Sequence, residues 1–183
     1  MNSTQLVSLR DLQTDADDRK ALHGVQAANR QSLETLYLGY YAPLARFLSR
    51  FVATTNAVDD IINQTFATIW TSAIEVRRES RVAVCIFGIA YKTARRSVRM
   101  NSGEACRFTG VAPGCKNDFE TDKPGVDSLK HRLNRLSVED RVTLILAYQM
   151  GFSVDEIASI IESTPGAVHM RMCRARASLR PIF

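Results

Sequence analysis

Four arginines, Arg171, Arg174, Arg176 and Arg180, stand in the last fifteen residues of the chain, and no acid offsets them there. A guanidinium presents N–H donors in a planar fork that fits a phosphate or the acceptor edge of guanine. A second basic run lies mid-chain. Residues 76–107 carry eight bases (Arg77, Arg78, Arg81, Lys92, Arg95, Arg96, Arg99 and Arg107) against Glu79 and Glu104. Residues 31–75 reverse the balance, with four acids and two bases, and Asp59 and Asp60 stand side by side. The net charge of +5 is therefore unevenly laid out. Two positive surfaces and one mildly acidic one suit a chain that touches a polyanion at two places.

Other chemistries find little support. There is no Gly-rich phosphate loop, no His/Asp cluster at metal-ligand spacing and no nucleophile–base pair, so an enzyme reading is weak. The cysteines, Cys85, Cys106, Cys115 and Cys173, form no C-x-x-C pair and lie near no histidine at zinc-finger spacing. They read as four free thiols, and no metal or cofactor is expected. Cys85 reads as a small core residue, and Cys173 falls among arginines that favour its thiolate. No apolar run approaches the roughly 18 residues that cross a bilayer, and the N-terminus lacks the basic and apolar parts of an export signal. The expected location is the cytoplasm, without membrane insertion.

The elements that must position these charges are helical throughout. Residues 1–30 are polar with weak periodicity and read as a flexible arm with a short helix near 17–29. From 31 onward, Leu33, Leu36, Tyr37, Tyr40, Tyr41, Leu44, Phe47, Leu48 and Phe51 recur at steps of three and four, a helix stripe interrupted by Pro43. Val58, Ile61, Ile62, Thr65, Phe66, Ile69 and Trp70 repeat that spacing and leave Asp59, Asp60, Asn63 and Gln64 on the other face. A third helix, about 81–100, is apolar over RVAVCIFGIAY and basic over KTARRSVRM. Residues 101–126 hold four glycines and two prolines and read as a flexible linker. The fold class expected is all-α, with two small helical domains, residues 31–100 and 127–183.

The second domain is punctuated by its caps. Leu129, Leu133 and Leu136 mark one helix. Ser137 opens the next, with Val142, Ile145, Leu146 and Tyr148 inside, and Gly151 stops it. Ser153 and Glu156 form an S-x-x-E capping box ahead of Ile157, Ile160 and Ile161. Ser163 or Thr164 caps the last helix, and Pro165 suits its first turn. On that helix Val168, Met172, Ala175 and Leu179 share one stripe. Arg171 and Arg174 flank it on one side, Arg176 and Arg180 on the other, with His169, Met170 and Cys173 outermost. Two helices joined by a tight turn, the second one basic, make a helix-turn-helix.

From Ser32 to the C-terminus, most of the linker excepted, the chain resembles the extracytoplasmic-function sigma factors of the bacterial sigma-70 family. The resemblance rests on Leu136 to Arg141, on the G-x-S-x-x-E-I-A element (Gly151, Ser153, Glu156, Ile157, Ala158), and on the ending Arg171, Arg174, Ala175, Arg176, Leu179. VDDIINQTFATIW is similar to the family's polymerase-binding helix, and IFGIAYKTARRSVR to its reader of the −10 element. Asn63 and Gln64 stand where the family usually has glutamine and glutamate. Cys85 stands for a tryptophan, and Lys92 and Arg96 for an asparagine and an aspartate. His169 and Met170 stand where lysine and serine are frequent.

The resemblance implies an RNA polymerase sigma factor that recognises the −35 and −10 promoter elements and opens the strands. Core polymerase contact, to the β′ clamp helices, would fall on Asp59, Asp60, Asn63 and Gln64, and a second contact on the β flap is implied. The −10 contacts would fall on Arg77, Arg78, Arg81, Lys92, Arg95, Arg96 and Arg99. Those to the −35 duplex would fall on Ser163, Thr164, Gly166, His169, Met170, Arg171, Arg174 and Arg176. The segment 73–80 resembles one that captures a flipped base. The linker would thread the RNA exit channel, and an anti-sigma protein is an implied partner. The competing reading is a stand-alone two-domain regulator that does not bind core polymerase.

Overall fold

The computed structural model describes residues 15–52, 54–72, 80–100, 133 and 136–179. Every element among them is helical: α1 (Asp15–Gln26), α2 (Arg30–Leu48), α3 (Thr55–Thr71), α4 (Val82–Met100), α5 (Val138–Leu144, continued by a π-helical turn over Ile145–Gln149), α6 (Val154–Ile160) and α7 (Pro165–Leu179). None of these is long and apolar enough to cross a membrane. The expected linker over 101–126 and most of the leucine helix before Ser137 lie outside the described residues.

The helix boundaries follow from caps that satisfy the first backbone N–H groups. Asn29 accepts from the N–H groups of Gln31 (2.9 Å) and Ser32 (3.4 Å) at the start of α2. Thr54 does this for Ala57 in α3, and Ser137 for Asp140 in α5. α2 runs on through Pro43, which is buried and gives up one helical hydrogen bond. The stripes point as their spacing predicts: Leu36, Tyr40, Leu44, Phe47 and Leu48 of α2 meet Val58, Ile61, Ile62, Phe66 and Ile69 of α3.

Where an unstructured arm is expected, the chain instead folds into α1, somewhat earlier than the short helix read near 17–29. Leu22 and Val25 bury its apolar face. Its first turn also caps a helix far along the chain. Asp15 accepts from the backbone N–H of Val82 (2.9 Å), and Arg19 donates to the carbonyl of Ser80 (2.5 Å) while pairing with Asp15. α4 has a poor cap of its own in this sequence, and α1 supplies one.

Asp18 of α1 is buried. One carboxylate oxygen accepts from the hydroxyl of Tyr40 (2.5 Å), and the other is buried with no partner. Burial raises its pKa above the ordinary 3.8, against the lowering effect of the Tyr40 hydrogen bond and with help from Asp15 and Asp17. Folding therefore favours the protonated acid. The stability this provides is complete below about 3.8 and is lost as pH rises through the folded-state value. Asp18→Asn should remove that dependence. Thermal melts from about pH 3.5 to 7 should shift steadily in favour of the variant, and parallel curves would contradict this account.

The core is continuous from α2 to the segment before α6. Phe51, Phe47, Phe87 and Phe152 stack in sequence, with ring centroids 5.0, 5.3 and 5.2 Å apart. The last of these contacts joins α4 to the helix-turn-helix half.

In that half, Arg141 is buried. It donates to the carbonyls of Leu133 (3.0 Å) and Leu136 (3.2 Å), which explains the Leu136-to-Arg141 pattern. Gly151 takes φ +71 after the π-helical turn, a conformation glycine adopts without steric cost. One expectation fails here: Tyr148, read as interior, is 64% exposed. The widened turn changes the angle per residue, so the 3.6-residue period no longer predicts facing.

Candidate functional site

The turn of the helix-turn-helix is built by local chemistry. Ser153 accepts from the N–H of Glu156 (3.3 Å), and Glu156 accepts from the N–H of Ser153 (2.8 Å), the reciprocal box expected from the sequence. Glu162 closes α6 at φ +53, so the chain reverses within a few residues. Of the two candidate caps for α7, Thr164 is the one used, accepting from the N–H of Ala167 (3.2 Å). Val168, Met172 and Ala175 are buried and Leu179 half-buried, as the wheel requires.

Seated this way, α7 exposes Thr164, Gly166, His169, Met170, Cys173, Arg174 and Arg176, and half-buries Ser163. The arginines differ among themselves. Arg171 is only 21% exposed and turns toward α5, where it pairs with Glu139 (2.9 Å). Arg174 is 65% exposed and reaches Asp140 (3.2 Å). Arg176 donates to the hydroxyl of Tyr148 (2.6 Å) and lies over its ring. α5 thus braces three of the four arginines of α7, while Arg180 lies outside the described residues. The sequence signal for this bracing was the acidic pair Glu139 and Asp140, which the cap alone seemed to account for.

On α4 the described cations are spread along the helix. Arg81 makes a two-pronged ion pair with Glu156 (2.5 and 3.1 Å) and lies over the ring of Phe152. Burial raises the Glu156 pKa, but the Ser153 N–H and the Arg81 guanidinium outweigh it and hold the carboxyl below its usual range. Lys92 pairs with Glu162 (2.9 Å). Arg95 lies over the ring of Tyr91, and Arg96 is exposed. Arg77, Arg78 and the side chain of Arg99 lie outside the described residues.

The third surface is the outer face of α3 with the rim of α2. Asp60, Asn63 and Gln64 are exposed and Asp59 half-exposed. The hydroxyl of Tyr41 donates to Asp59 (2.7 Å), which raises the Tyr41 pKa, and that of Tyr37 donates to Asn63 (3.2 Å). Tyr37 packs against Tyr41 and Phe66, and Leu38 beside them is 69% exposed. Sequence reasoning assigned Tyr37 and Tyr41 to the buried stripe. Residues 36–41 are too uniformly apolar for one stripe, and this excess width was the available signal that some of them stand at a surface.

Among the described residues no group of His, Cys, Asp or Glu could hold a metal ion. Cys85 is half-buried, and burial raises its thiol pKa, whereas Cys173 is exposed. Cys106 and Cys115 lie outside the described residues.

Comparison with known proteins bears on all three surfaces. Residues 127–179 match the family model of sigma-70, region 4. The chain is 25% identical over 173 residues to the ECF RNA polymerase sigma-E factor of Haemophilus influenzae, covering 87% of this chain and 91% of that protein. It is 26% identical over 175 residues to the RNA polymerase sigma factor NccH of Alcaligenes xylosoxydans xylosoxydans, covering 90% and 91%. The same fold is seen in CnrH, solved in complex with the cytosolic domain of CnrY (TM-score 0.64, 20% identity, 89% of this chain and 94% of that one). It recurs in the sigma factor RpoE of Bartonella quintana, solved with the anti-sigma factor NepR (TM-score 0.57, 22% identity, 82% and 92%). With the matches running the length of both halves and the helix-turn-helix built as described, the chain belongs to the extracytoplasmic-function group of sigma-70 RNA polymerase sigma factors.

Proposed function

We propose that this chain binds core RNA polymerase through the α3 face, reads promoter DNA through α4 and α7, and so sets where transcription begins. Asp59, Asp60, Asn63 and Gln64 form the polymerase contact, with the Tyr37 and Tyr41 hydroxyls holding Asp59 and Asn63 in place. α7 enters the −35 duplex from its Thr164 end, where unpaired N–H groups and the helix dipole favour phosphate. Arg81, Lys92, Arg95 and Arg96, with Arg77, Arg78 and Arg99, serve the −10 element. No covalent step is involved. Unstacking costs a few kcal/mol per base, and contacts to the opened strand inside the polymerase complex offset it. The chain works in the cytoplasm, where a protein inhibitor of the anti-sigma type is its regulator.

The observation that carries this reading is the separation of surfaces: an uncharged-to-acidic face on α3, distinct from the arginine-bearing faces of α4 and α7. A regulator acting without polymerase would have no use for the first. Run-off transcription with purified core polymerase on a randomised promoter library tests it, beside a pull-down of core. Defined start sites are expected. DNA binding with no core association would favour the stand-alone regulator instead.

The two pairing patterns of α7 separate reading from bracing. Arg174→Glu should weaken duplex binding about tenfold with little change in melting temperature. Arg171→Glu should also lower the melting temperature, because it sets a carboxylate against Glu139 at a largely buried position. Equal melting temperatures for the two variants would contradict the bracing role.

A further inference from the structure

We infer that the contact between α4 and α6 is an autoinhibitory latch, which holds the −10 reader against the helix-turn-helix until polymerase or DNA separates them. This rests on the functional reading above. The two elements bear names 25 base pairs apart, which at about 3.4 Å per pair is roughly 85 Å of duplex. In the folded chain, Lys92 of α4 lies 2.9 Å from Glu162, one residue before the Ser163–Thr164 entry to α7. A molecule in this arrangement cannot engage both elements at once.

The contact has a centre and a rim. At its centre Phe87 packs on Phe152, and the backbone of Ile160 passes Gly88, 3.8 Å from where a Cβ would sit. At its rim stand Arg81 with Glu156 and Lys92 with Glu162. Two cations assigned to the −10 element are thus occupied by acids of the other half. Opening releases both for phosphate. Glu156 keeps its hydrogen bonds with Ser153 after opening, because the capping box is internal to α6. The α6 cap therefore does not depend on the latch being shut.

Gly88 allows a test that leaves the proposed contact residues untouched. A methyl group at this position meets Ile160 at ordinary van der Waals distance, so Gly88→Ala keeps the latch shut. Gly88→Trp has no room beyond that first carbon and wedges α4 from α6. Glu162→Lys, at the exposed rim, acts in the same direction through repulsion of Lys92. Small-angle scattering on the full chain should find wild type and Gly88→Ala equally compact. Gly88→Trp should be longer in maximum dimension by about 20 Å, as a coil linker of this length permits. On a mixed-sequence 25-base-pair duplex, the logarithmic salt dependence of binding should steepen by about two for Gly88→Trp, one counterion for each released cation. Glu162→Lys should show a smaller change of the same sign.

A wild-type chain already extended in solution would overturn the latch. So would wild-type dimensions and salt slopes in both Gly88→Trp and Glu162→Lys. Neither measurement involves polymerase. Loss of the proposed function through failure to bind core would therefore leave a positive scattering result intact.

Discussion

Asp60→Lys is expected to reduce affinity for core RNA polymerase by on the order of 100-fold while leaving the fold intact. Asp60 is exposed on α3, and its neighbours on that face carry the local hydrogen bonds: Asp59 with Tyr41, and Asn63 with Tyr37. A substitution at a surface position without such partners shifts stability by roughly 0.5 kcal/mol or less. A new ammonium on a face that meets a cationic partner surface brings like charges together as water is excluded, which is far more costly. Competition binding to core polymerase measures the loss, and a thermal melt within about 2 °C of wild type shows that folding is spared. Unchanged affinity would remove α3 from the polymerase contact. The same measurement on Tyr41→Phe should give a smaller loss, since only the hydrogen bond that orients Asp59 is removed.

Arg141→Met should produce the largest loss of stability, about 3 kcal/mol, or a fall in melting temperature of roughly 6–12 °C for a chain of this size. The methionine side chain fills most of the same volume but donates no hydrogen bond. The carbonyls of Leu133 and Leu136 would lose the guanidinium that ties them to α5. Burial already lowers the Arg141 pKa, a sign that little water reaches the group to replace what is lost. Calorimetry reads the effect. Duplex binding should fall with it, because α5 carries the Glu139 and Asp140 carboxylates that brace Arg171 and Arg174. A variant as stable as wild type would show that Arg141 is dispensable to that half of the fold.

These two residues illustrate unequal legibility. Asp60 could be placed from the period of its neighbours, since a stripe of Val58, Ile61, Ile62 and Phe66 leaves it nowhere but the outer face. Arg141 could be recognised as part of a pattern but not understood. Nothing in its spacing says that a guanidinium will be buried to hold two carbonyls of the preceding segment. Tyr148 misled for a related reason, because a single π-helical turn shifts the facing of every residue in it.

What the amino-acid order determined by itself was local. It set the helices, their apolar stripes, the Ser153–Glu156 box, the stop at Gly151 and the turn into α7. Each depends on residues within one or two helical turns, whose energies are present whichever neighbours the helix finds. Tertiary structure alone decided the rest: that Asp15 caps Val82 across 67 residues, that Arg171 turns to Glu139 while Arg174 stays exposed, and that Arg81 and Lys92 meet acids of the other half. A helical period states which side of a helix is apolar. It does not state which partner covers that side, and the flanking charges are paired or freed only by that choice.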